Sequence, residues 1–97
     1  MNFCFHPEAE EELTKAIAYY SDISPQLGQG FAVEVFAAIQ LALDFPSIWS
    51  LLEGTIRRSL VRGFPYGVLY SREENGIYIV AVMHLHQEPG YWKDRLT

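Results

Sequence analysis

The sequence predicts an α+β fold in the order β-α-α-β-β-β, a helical hairpin packed on one face of a mostly antiparallel sheet. Three observations carry that prediction. From Ala9 to Leu43 apolar residues recur every three or four positions, in two stretches each opened by a proline. After Pro46 the spacing falls towards two, the period of a strand. Glu74-Asn75-Gly76 then supplies a tight turn between two strand-like runs.

Residues 2–5 alternate weakly and end at His6-Pro7, which reads as a short first strand. Pro7 suits the first position of a helix, where an N–H has no intrahelical partner. Glu8, Glu10, Glu11 and Glu12 crowd the first turns, where the helix dipole favours negative charge. Ala9, Leu13, Ala16, Ile17 and Tyr20 form the stripe that faces the core. Ser24-Pro25 repeats the pattern of cap and proline and opens a second helix. Its stripe is Leu27, Phe31, Val35, Ala38, Ile39 and Ala42, broadened by Ala32, Phe36 and Leu43, and Pro46 closes the segment. Gly28 and Gly30 lower helix propensity near its start, which leaves two readings of this end: it frays, or it lies close to the first helix. So short a connection makes the pair an antiparallel hairpin.

Thr55–Arg62 reads as a strand, Gly63-Phe64-Pro65 as a turn, and Tyr66–Arg72 as the next strand. Ile77–Leu85 is the last strand and the most apolar segment. Alternation puts Ile77, Ile79, Ala81, Met83 and Leu85 on one face, with Tyr78, Val80, Val82, His84 and His86 on the other. Apolar residues on both faces mark a central strand, or a face that a partner covers.

Ninety-seven residues, 49% hydrophobic and 20% charged, fit one packed domain over residues 1–97. A net charge of −5 speaks against a free nucleic-acid binder and against attraction to an anionic membrane. The lone Cys4 forbids an internal disulfide and is expected to be buried as a small hydrophobe. No signal peptide is visible, and no apolar run approaches the ~20 residues of a membrane span. The expected setting is therefore the cytoplasm, with no membrane partner. Charge is unevenly divided: residues 1–48 hold seven acids against Lys15, whereas residues 49–97 hold five acids against six bases. The cations thus belong to the sheet and the tail.

Few residues carry chemistry in a recognisable pattern. His84 and His86 share a strand face, but a zinc site needs a third ligand and none stands at a persuasive spacing. Ser59 and Ser71 lack a nucleophile elbow, and Gly28-Gln29-Gly30 is no phosphate loop. Neither a metal nor a cofactor is expected. The remaining cluster is Arg57, Arg58, Arg62, His84, His86, Tyr91 and Arg95. Metal-free RNA cleavage needs a proton acceptor, a proton donor and cations around the phosphate, which these types can supply. Composition by itself favours the plainer reading, arginines that decorate strand edges and pair with Glu53, Glu73, Glu74 or Asp94.

Several local strings occur in a telling order from Phe3 to Arg95. They are His6-Pro7-Glu8-Ala9, Tyr19-Tyr20, Gly28 with Phe31, and Phe45-Pro46 with Trp49. Ile56-Arg57-Arg58, Arg62-Gly63-Phe64-Pro65-Tyr66 and Tyr70 follow, then Val80-Ala81-Val82-Met83-His84, Pro89-Gly90-Tyr91-Trp92 and Arg95. In this order the chain resembles the RelE/ParE toxin superfamily. The resemblance implies the toxin half of a type II toxin–antitoxin module, once described as a plasmid stabilisation system. It also implies a cognate antitoxin whose flexible segment wraps the toxin, with operator DNA met only through that antitoxin.

RelE-like members cleave mRNA on the ribosome without a metal, whereas ParE-like members inhibit DNA gyrase by binding. Gly67 stands where RNA-cleaving relatives tend to carry arginine after the matching tyrosine. Leu85, His86, Gln87 and Glu88 occupy a stretch that is basic in those relatives. The departures point to a ParE-like, non-enzymatic toxin. The alternative is a ribosome-dependent mRNA endonuclease with His84, Tyr91 and His86 as its catalytic residues. A second alternative is an inactive homologue that only binds its antitoxin. In the first two readings Arg57, Arg58, Arg62 and Arg95 grip the target or its phosphate.

Overall fold

In a computed structural model that describes residues 2–96, helix α1 (Pro7–Ile23) begins as its sequence dictates. Pro7 takes the first helical position, and the His6 ring is the cap, its Nδ1 accepting the Glu8 N–H at 3.0 Å. Helix α2 (Pro25–Asp44) starts after the single residue Ser24. The Ser24 N–H donates to the Tyr20 carbonyl and its hydroxyl accepts the Leu27 N–H at 3.4 Å, so one residue ends α1 and opens α2. Near this joint the two helices nearly touch. A Cβ placed on Gly28 would stand 2.8 Å from the Ser21 Cβ and 2.9 Å from its Cα.

The sheet contains β1 (Asn2–Phe5), β2 (Leu51–Glu53), β3 (Ile56–Leu60), β4 (Tyr66–Glu73) and β5 (Gly76–His84). Its order is β1-β5-β4-β3-β2, antiparallel except that β1 runs parallel to β5. Architecture and element order are those expected from the sequence, with β2 in addition. At three residues β2 is too short to show a period. The strand β5 lies between β1 and β4, which explains its two apolar faces.

One prediction about β5 fails. Leu69 pairs with Ala81 and Tyr70 with Ile79, so Val80 is an extra residue, a β-bulge. Side-chain alternation therefore breaks at Val80. Ile77, Ile79 and Val82 join Val68, Tyr70, Phe31 and Val35 in the core under the helices. Val80, Ala81 and Met83 join Ile56, Leu69 and Trp92 in a second core on the outer face. The Ser59 hydroxyl donates to the Ala38 carbonyl at 2.9 Å and so ties β3 to α2, while the Tyr70 hydroxyl donates to the Pro46 carbonyl at 2.9 Å.

Two further expectations are corrected. Cys4 is exposed, because β1 is an edge strand. Helix α2, 20 residues at a mean hydropathy of 1.2, is long and apolar enough to cross a membrane by length and composition. Its place in the fold accounts for that apolarity: Gly28, Phe31, Val35, Ala38, Ile39, Ala42 and Leu43 are all buried.

The Ser21–Gly28 contact sets a test. Gly28→Ala should gain up to about 1 kcal/mol of helix propensity but lose roughly 2 kcal/mol by forcing the helices apart. Urea unfolding should show a net loss of stability; a gain would mean that the helices adjust freely.

Candidate functional site

Past β5 the chain turns through residues 85–92 and ends in a short 3₁₀ segment, Lys93–Leu96. Trp92 is 2% exposed and closes the outer core against Val80, Ala81 and Met83. Its neighbours Tyr91 and Arg95 reach around the edge of β5 to α1. They can do so because β1 stops pairing at Phe5 and Ile79, leaving the rest of β5 without a strand on that side.

There the tail meets Glu12. The Glu12 carboxylate accepts the Tyr91 hydroxyl at 2.7 Å, Arg95 Nη1 at 3.0 Å, Arg95 Nη2 at 2.8 Å and the Val82 N–H at 3.0 Å. Arg95 Nη1 also donates to the Val80 carbonyl at 3.0 Å, and its guanidinium lies 4.9 Å from the Tyr91 ring centroid. Backbone groups at the bulge thus find side-chain partners in the absence of β1. The Arg95 side chain is 7% exposed and that of Glu12 22%. Removing one member of so sheltered a pair costs about 3 kcal/mol, because the other is left charged and unpaired. The hydrogen bond to Glu12 holds the Arg95 guanidinium pKa above its usual value. Burial, then the Glu12 hydrogen bond and charge, push the Tyr91 phenol well above its usual 10.

The other candidates divide between the two faces of the sheet. The rings of His84 and His86 are 5.2 Å apart, and His84 lies 5.1 Å from Tyr66. His84 Nδ1 accepts the His86 N–H at 3.1 Å, so the neutral His84 ring carries its proton on Nε2. This ring opens on a cleft of about 270 Å³ on the helix side, bordered by Glu12, Lys15, Tyr19 and Tyr66. Arg57 also faces the helix side and donates to the Trp49 carbonyl.

Arg58 is on the outer face. Its stem lies over Gly67, where a Cβ would come within 2.8 Å of Arg58 Cγ and Cδ. Gly67 thus serves as a saddle for an arginine stem. Arg58 borders an outer cleft of about 370 Å³ with Met83, Leu85, Pro89 and Trp92. Arg62 is exposed in the turn before β4. Among the described residues Arg58 and Arg62 have no ion-pair partner, and no group of three or more His, Cys, Asp or Glu can hold a metal.

The structure therefore brings Tyr91 to Arg95 and His84 to His86, and sets His84 across the sheet from Arg58. Sequence reasoning missed Glu12, grouping it with the solvated acids of the helix start. A signal was present: Glu12 follows Ala9 by three positions and precedes Ala16 by four, which aligns it with the buried stripe.

Residues 4–89 match a family model described as the ParE toxin of the type II toxin–antitoxin system, parDE. No curated protein matches the chain.

The raised Tyr91 pKa has a measurable consequence. Protonated tyrosine is favoured in the fold, so its contribution is complete below pH 10 and is lost as pH rises from there through the folded-state pKa. Tyr20, Tyr66 and Tyr70 shift the same way, each mainly by burial. Tyr91→Phe should flatten the fall of unfolding free energy between about pH 10 and 12 while lowering stability at neutral pH. An unchanged slope would show that the Tyr91–Glu12 bond is not kept in solution.

Proposed function

Since the chain belongs to the ParE toxin family of type II toxin–antitoxin systems, we propose that it arrests growth by binding DNA gyrase in the cytoplasm, without cutting RNA. A cognate antitoxin is its partner by family membership. The single observation that favours binding over cleavage is the division of the candidate groups across the sheet. Phosphodiester cleavage needs its proton donor, proton acceptor and cations within hydrogen-bond reach of one phosphate. Here Arg58 stands on the outer face and His84 on the helix face. Tyr91 and Arg95 are engaged by Glu12, and a phenol held above its ordinary pKa is a poor base at neutral pH.

The outer face suits a binding role. It presents Arg58, which has no ion-pair partner among the described residues, beside exposed Leu52 and Leu60 and the cleft walled by Trp92, and Arg62 is exposed in the turn before β4. A cation next to apolar surface is the composition of a protein-binding patch, in which arginine is enriched. The whole domain, residues 1–97, is the proposed working unit.

The purified toxin should inhibit supercoiling by gyrase at micromolar concentration, and Arg58→Ala with Arg62→Ala should weaken inhibition about tenfold, the loss of one or two modest contacts. Transcript ends mapped after induction should match those of uninduced cells. New cleavage sites that vanish in His84→Ala would establish the nuclease reading instead. Unimpaired growth on expression without antitoxin would leave the chain as an antitoxin-binding homologue only.

A further inference from the structure

We propose that Glu12 is a positioning residue for the outer face: through Arg95 and Tyr91 it straps the C-terminal segment in place, and that strap builds the wall of the Arg58 cleft. The inference rests on the reading of this face as the one that meets the target. Its basis is the path of the chain. Residues 85–96 leave β5, cover the outer core with Trp92, and turn back around the sheet edge to α1. Pro89, Gly90 and Trp92 are the tail's share of the outer cleft lining, which Arg58 and Met83 complete from the sheet side. What holds the tail's share in place lies on the opposite face of the sheet, at Glu12.

Three things make Glu12 the control point. It belongs to α1, which the helix-side core fixes through Ala9, Leu13 and Ala16. It accepts from both tail residues and from Val82 in β5, so it joins helix, sheet and tail in one carboxylate. Among further ties of the tail, Lys93 Nζ to Glu53 Oε1 at 2.7 Å joins two side chains more than half exposed and adds little. The Arg95 bond to the Val80 carbonyl and its 3.9 Å approach to Glu8 use the same guanidinium that Glu12 holds. The apolar seat of Trp92 holds the strap down, while Glu12 sets where its end docks. Loss of the carboxylate charge should loosen the strap without unfolding β3 and β4, whose ladder does not include it.

The test uses the full chain. In Glu12→Gln, amide exchange of residues 90–96 should rise about tenfold while exchange at Val68–Tyr70 stays as in the unmodified protein. In a Trp49→Phe background Trp92 is the sole indole, and Glu12→Gln should make it more accessible to acrylamide. Arg95→Lys keeps the charge but loses the two-pronged grip, and should give an intermediate response. Growth arrest on expression at equal protein level should fall in the order of strap loosening. A strap unchanged in Glu12→Gln overturns the proposal, and so does exchange that rises equally in the tail and in β4. A loosened strap with full growth arrest overturns the positioning role. Because exchange and quenching are read on the free protein, they stand apart from the gyrase assay, whose failure bears only on the target.

Discussion

The carboxylate of Glu12 is the point on which the two halves of this molecule depend. Sheet and helical hairpin share one core, and the outer face of the sheet has another. Hydrophobic burial holds each core but cannot specify how a chain end should cross from one to the other, because it has no direction. Hydrogen bonds and paired charges supply that direction. Glu12 and Arg95 supply it at the one place where the edge of β5 is open, beyond the end of β1.

The bulge at Val80 belongs to the same arrangement. An extra residue leaves part of the β5 backbone outside regular pairing, and such groups are costly when buried without partners. The Val80 carbonyl and the Val82 N–H receive theirs from Arg95 and Glu12. The bulge also turns Val80 and Ala81 together towards the outer face, which gives Trp92 an apolar seat. Bulge, indole and ion pair thus support one another, and none of the three is explained alone.

This arrangement divides the chemistry of a toxin fold. Residues that a metal-free nuclease would gather around one phosphate lie on two faces, and two of them are committed to holding the chain together. Arg58, without an ion-pair partner among the described residues, stands with exposed leucines and a cleft. The net charge of −5 does not describe that surface, since its negative part is mostly on the helices. A local field decides what a face attracts.

Much of this was legible in the sequence. Period, caps and prolines determined the helical hairpin, and the Glu74-Asn75-Gly76 turn determined the β4–β5 pairing, because these signals act over a few residues and need no distant partner. The ordered strings from His6 to Arg95 determined the family. Tertiary structure alone decided the faces. Strict alternation sends His84 outward with Val80, but one inserted residue returns it to the helix side. Glu12 and Arg95 stand 83 positions apart, and no local rule tells that of the four glutamates in the run Glu12 takes the close two-pronged grip while Glu8 stands 3.9 Å off. Register and long-range pairing are set by how the elements pack, and that information is not periodic.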